Sequence, residues 1–127
     1  MLNDGDIPTR LRDYCSMWQE HHLGTTIIRL VGEFDLACDD RFQEELGRVL
    51  DDETETFILD LRGLEFIDSV GLRMLVQIDA LARSDGFDFT VLCGDGQVRS
   101  VLMQTGLDGV LPLVDPSGVV PASDSPV

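Results

Sequence analysis

Lysine is absent from this chain of 127 residues, and all nine of its basic residues are arginine. Without lysine there is no phosphate-binding loop of the nucleotide-hydrolase type, no Schiff base and no lysine general base. A receiver-type phosphoaspartate site, which uses a lysine, is excluded on the same ground. Positive charge of any kind is scarce: twenty-four acids set the formal net charge at -15 and the pI near 4.1. Nucleic acid requires a basic stripe along its phosphates, and an anionic membrane surface requires a polybasic segment, so neither is expected as a partner. No apolar run approaches the roughly 18 residues of a membrane span. Residues 1–12 carry Asp4 and Asp6 and no apolar stretch, so they do not read as a signal peptide. Cysteine is sparse too. Cys15, Cys38 and Cys93 are odd in number and spaced unlike any metal-ligand or redox pair. They are expected as small buried thiols in a reducing, cytoplasmic setting.

What remains is the composition of one ordinary globular domain, with 43% hydrophobic and 26% charged residues in a length that fits a single core. Residues 1–13 are polar and irregular and are expected to form a flexible arm. Residues 115–127 hold three of the five prolines and are expected to be a disordered tail. The ordered domain is then 14–114. Within it, residues 14–20 alternate apolar and polar side chains, and residues 25–31 are rich in β-branched residues, which predicts a hairpin with His21 and His22 near its turn. Residues 38–50 place Phe42, Leu46, Val49 and Leu50 on one helical stripe. Residues 57–61 are almost continuously apolar, as in a strand covered on both faces. Residues 64–69 turn out of it into a second helix over 70–83, with Leu72 and Val76 flanking its core stripe. Residues 87–93 predict a strand, and Val98, Val101, Leu102 and Thr105 a third helix. A short apolar piece closes the domain at 110–114. Strand–helix–strand units require parallel neighbours. The fold class is therefore α/β, a mixed and mostly parallel sheet opened by an antiparallel hairpin and covered by helices.

No constellation of an enzyme is visible. The histidines stand near no nucleophile motif, and no serine sits in a nucleophile-elbow pattern. Glu33 with Asp35, and Asp39 with Asp40, are the acid pairs closest to a cation site, but acids on a helix face are as a rule solvated, so no metal and no cofactor is expected. The most informative stretch is residues 60–72. It runs from a buried strand to Ser69, placed where a helix N-cap belongs, with its hydroxyl able to accept an amide two or three residues on. Gly71 lets the backbone lie close to whatever approaches.

Four segments in register resemble the STAS domain of bacterial anti-sigma factor antagonists. They are Arg29-Leu30-Val31-Gly32-Glu33-Phe34-Asp35, Asp60-Leu61-Arg62-Gly63, Phe66-Ile67-Asp68-Ser69-Val70-Gly71-Leu72 and Thr105-Gly106-Leu107. The resemblance implies a partner that is both an anti-sigma factor and a serine kinase. It implies that binding releases a sigma factor for transcription, and that phosphorylation of Ser69 switches the chain off until a serine phosphatase removes the mark. Asp35, Asp68, Val70, Gly71, Leu72 and Val76 are then the expected partner-binding residues. Val70 departs from the serine or threonine usual in the family. A phosphate adds about -1.5 to -2 charges, and free amides at a helix N-terminus are expected to hold it without refolding.

Two other readings stay open. The same fold can be a constitutive adaptor in a sensor or transport complex, with no phospho-switch. A small enzyme or nucleotide-binding protein would have to work without phosphate loop, lysine or nucleophile pair. The charge bears on the partner as well. Residues 33–60 hold eleven acids against two arginines, nine of the fifteen net negative charges. A partner with a basic rim, steered electrostatically, is expected.

Overall fold

The computed structural model describes residues 7–114. Its strands are β1 (Thr9–Arg12), β2 (Cys15–His22), β3 (Thr25–Phe34), β4 (Thr56–Ile67), β5 (Asp88–Leu92) and β6 (Leu113–Val114). Its helices are α1 (Leu36–Val49), α2 (Ser69–Asp85) and α3 (Gln97–Gln104), with a 3-10 turn at Leu107–Gly109. The strands lie in the sheet in chain order; β1, β2 and β3 pair antiparallel, and β3 to β6 pair parallel. The mixed sheet expected from the element order is the one observed.

The polar arm expected over residues 1–13 is partly strand. Thr9–Arg12 pairs with β2, and Leu11 is buried. Its alternation spans only four residues with one apolar side chain turned inward, too short to register as a period. Residues 1–6 and the tail expected at 115–127 lie outside the described residues. The β2–β3 hairpin turns at Leu23 and Gly24, both with positive φ, as a two-residue hairpin requires. His21 and His22 therefore end β2, paired with Thr26 and Thr25.

Each step from β3 to β6 moves one strand in the same direction. Right-handed crossovers then place all three helices on one face of the sheet. The burial pattern agrees. Thr26, Ile28 and Leu30 of β3, Phe57, Leu59 and Leu61 of β4, and Phe89 and Val91 of β5 are buried, while Ile27, Arg29, Ile58, Thr90 and Leu92 between them are not. The continuous apolar run of β4 is thus not covered on both faces. Ile58 is half-buried on the open side, and Asp60 there is buried beneath its ion pair with Arg62. One core cluster runs under the helices, with Phe34 and Phe42 edge to face at 5.5 Å and Phe57 stacked on Phe89 at 5.6 Å.

β4 continues to Ile67 where a turn is expected from residue 64. It does so through irregular pairing that matches Val31 to Gly63, Glu33 to Phe66 and Phe34 to Ile67. Such irregularities let a strand bend and re-aim its end. β3 and β4 consequently finish side by side at Phe34 and Ile67, and each passes directly into a helix.

Candidate functional site at two helix starts

The residue after each of those strand ends is an aspartate, and each aspartate caps the helix that follows it. Asp35 accepts the Ala37 amide at 3.0 Å. Asp68 Oδ1 accepts the amides of Val70 and Gly71, both at 3.0 Å, and Asp68 Oδ2 accepts the amide of Leu36 in α1 at 3.0 Å. The Asp68 amide in turn donates to the Phe34 carbonyl at 3.2 Å. One carboxylate thus caps its own helix and ties it to the first turn of the other.

The expected N-cap at Ser69 is corrected by this geometry. Asp68 has the extended backbone of a cap, and its carboxylate occupies the amides that Ser69 would have needed. Ser69 becomes the first helical residue, exposed, with no hydrogen-bond partner for its hydroxyl among the described residues. The expectation that α2's first amides are free to hold a phosphate is corrected with it, since Val70 and Gly71 already donate to Asp68.

Gly71 faces inward rather than toward an approaching partner. It is buried, and a Cβ there would stand 2.3 Å from Ile67 Cγ1 and 3.0 Å from Phe34 Cδ1. Its bareness lets α2 start tight against the ends of β3 and β4. Val70 and Leu72 are half-buried and Val76 is exposed, so the flanking strip expected on α2 does reach the surface.

Two contributors escape sequence reasoning. Leu36 opens α1 and is 69% exposed. Its signal was a large apolar residue directly after the cap, off the stripe of Phe42 and Leu46. Tyr14 is the other. From the turn between β1 and β2 its hydroxyl donates to Asp35 at the start of α1, 2.8 Å from Oδ2 and 3.1 Å from Oδ1. That contact links residues 21 apart, and no local pattern reports it.

Asp35 also accepts from the Cys38 thiol at 3.3 Å. Burial pushes its pKa up, but the bonds from Tyr14, Cys38 and Ala37 outweigh that and hold it below the ordinary carboxylate value. The same hydrogen bond to Asp35, with some burial, raises the Tyr14 phenol. Cys15, Cys38 and Cys93 are buried, and burial pushes Cys15 up to about 12, the opposite of a reactive thiol. Asp35 is thus committed to Tyr14 and its own helix, and no group of three or more metal-ligating side chains occurs among the described residues. A crevice of about 570 Å³ lies elsewhere, between the last turns of α1 and α2, lined among others by Leu46, Leu50, Leu81 and Phe87.

The site offers a surface: an exposed serine opens α2, beside two adjoining helix starts that are each capped by an aspartate. Comparison with known proteins identifies the family. The STAS domain profile matches residues 18–117. An anti-sigma F factor antagonist from Paenibacillus polymyxa is 30% identical over 97 residues, covering 76% of this chain and 83% of that protein. The crystal structure of an anti-sigma factor antagonist from Mycobacterium paratuberculosis superposes with a TM-score of 0.71 at 28% identity, over 80% of this chain and 86% of that one. The unphosphorylated anti-sigma factor antagonist SpoIIAA shares the fold, with a TM-score of 0.67 at 22% identity, over 78% of this chain and 86% of that one. The chain belongs to the STAS domain family. Among the described residues no helix is long and apolar enough to cross a membrane.

Proposed function

We propose that this chain is an anti-sigma factor antagonist, a binding module rather than an enzyme. Its partner is an anti-sigma factor with serine kinase activity, and phosphorylation of Ser69 ends the association until a serine phosphatase reverses it. The observation that carries the reading is the position of Ser69: exposed at the first residue of α2, with the neighbouring helix starts already capped by Asp35 and Asp68. The names of its relatives support the antagonist role.

The mechanism follows from that occupancy. A free helix N-terminus would draw the phosphate inward and neutralise it. Here the Val70 and Gly71 amides of α2 are already taken by the Asp68 carboxylate, which also holds the Leu36 amide. A phosphate on Ser69 stands outward, as added negative charge on the surface that meets the partner. Val70, Leu72, Val76 and Leu36 supply apolar contact around it, and an interface packed over them must desolvate the dianion. A loss of about 3 kcal/mol weakens binding roughly a hundredfold. Asp35 and Asp68 act chiefly by fixing the two helix starts. Gly71 acts by letting them pack.

The test is incubation with the kinase-type anti-sigma factor of the same genome and ATP, followed by phosphosite mapping. Phosphate on Ser69 alone, with release of the partner, is expected. Stable binding with no transfer to Ser69 would assign the chain to the constitutive adaptors instead.

A further inference from the structure

Among the described residues, no helix covers the face of the sheet away from α1, α2 and α3, across β2 to β5. Its residues stand in cross-strand rows. Trp18 of β2 pairs with Arg29 of β3, which pairs with Asp60 of β4; Glu20 of β2 pairs with Ile27 of β3, which pairs with Ile58 of β4. The shallow cleft between them, about 500 Å³, is lined by residues of β2, β3 and β4 and by Leu92 of β5, and by no helix residue.

Charge sets this face apart. In a chain of net charge -15, Glu20 and Asp60 here are matched by Arg29 and Arg62. Arg62 pairs with Asp60 at 2.8 Å. Arg29 lies 3.6 Å from Glu20 and 6.0 Å from the centroid of the Trp18 ring. Both guanidinium side chains remain about half exposed, at 44% and 48%. Ile27, Ile58 and Leu92 are half-buried between them.

These properties select an occupant. A basic partner is drawn to the acidic surfaces, not to a neutral one. Two copies of this chain repel each other wherever their acidic surfaces meet, and a contact through the neutral face avoids that repulsion. A two-fold interface must also be self-complementary, because the same patch serves both partners. A patch with two charges of each sign around an apolar centre meets that condition, and a patch of one sign cannot. Homodimer interfaces are moreover the more apolar class, with tryptophan and arginine enriched.

We infer that the bare sheet face is a homodimer interface, across which two copies pack about a two-fold axis. The Ser69 surface, at the start of a helix on the opposite face, stays open in such a dimer. The test is sedimentation velocity on the full chain from about 1 µM to about 1 mM, the range that reveals weak dimers. Doubling of mass with concentration is expected. Arg29→Glu makes the patch carry two net negative charges and Glu20→Arg two net positive ones. Each variant alone should dimerise at least about tenfold more weakly, and an equal mixture of the two should form a heterodimer. Unchanged melting curves establish that the variants fold. Leu36→Glu, on the Ser69 surface, should dimerise as the parent does. A chain monomeric throughout, a dimer indifferent to both charge reversals, or a mixture that fails to associate overturns the inference. So does a monomer whose Arg29→Glu variant loses an anti-sigma factor, which gives the face to a different protein.

Discussion

Asp68 Oδ2 accepts a hydrogen bond at 3.0 Å from the amide of Leu36, thirty-two residues earlier in the chain. With its other oxygen on Val70 and Gly71, this side chain joins the first turns of both α1 and α2. The serine beside it is left outside the network. A local rule about caps therefore becomes a statement about exposure, because the better cap at residue 68 makes residue 69 available for modification.

Replacing Asp68 by alanine should be among the costlier changes at this surface. Loss of an N-cap costs about 1–2 kcal/mol. The stranded Leu36 amide adds to that where solvent does not reach it. Thermal unfolding should show a drop in Tm of about 4–8 °C per kcal/mol. A change within error would mean that water replaces the carboxylate without loss.

Gly71→Ala introduces a Cβ 2.3 Å from Ile67 Cγ1, and Ile67 lies against the core. Overpacking of this kind costs about 1–3 kcal/mol. The expected signature in urea is a lower midpoint with an unchanged slope. Partner affinity measured well below the unfolding midpoint should also fall, since the start of α2 must shift.

The Tyr14–Asp35 bond gives stability a bounded pH window. Asp35 has a lowered pKa when folded, so its contribution is present above the unfolded value near 4 and is lost as pH falls through the folded value. Tyr14 has a raised pKa, so its contribution is full below about 10 and is lost as pH rises through the folded value. In a pH series of unfolding free energies, Tyr14→Phe should therefore differ most from the parent at mid-range pH. The two curves should converge at the acid and alkaline ends. A constant offset at every pH would assign the effect to packing instead.

Association with a partner of basic rim should be fast at low salt and slow at high salt, because Glu33, Asp35, Asp39, Asp40, Glu44, Asp51, Asp52 and Glu53 lie at the start, along the length and at the exit of α1. Stopped-flow rates across an ionic-strength series test this. A flat series would make the acidity a solubility trait alone.

Much of this architecture was legible because its elements carry their own periods. The three helices show their stripes, and the β-branched run of β3 and the alternation of β2 and β5 announce strands. What was not legible depends on long-range partners. β1 exists because β2 offers it an edge, not because Thr9–Arg12 has a strong pattern of its own. The extension of β4 to Ile67 follows from irregular pairing with β3, which no local signal encodes. Likewise the choice between Ser69 and Asp68 as cap is decided by which carbonyls and amides meet. Asp68 prevails because its carboxylate takes the Val70 and Gly71 amides that a Ser69 cap would need. The glycine at 71 signals a close approach, but only the fold shows that Ile67 and Phe34 lie against it.

The proposal that Ser69 switches a binding surface is tested most directly by one affinity ratio. The kinase-type anti-sigma factor is titrated calorimetrically with the unmodified chain and with the chain phosphorylated on Ser69, after melting curves show that both are folded. The expected result is an affinity roughly a hundredfold weaker for the phosphorylated form, with little change in Tm, because the Val70 and Gly71 amides are already capped by Asp68. Equal affinities for the two forms would contradict the switch.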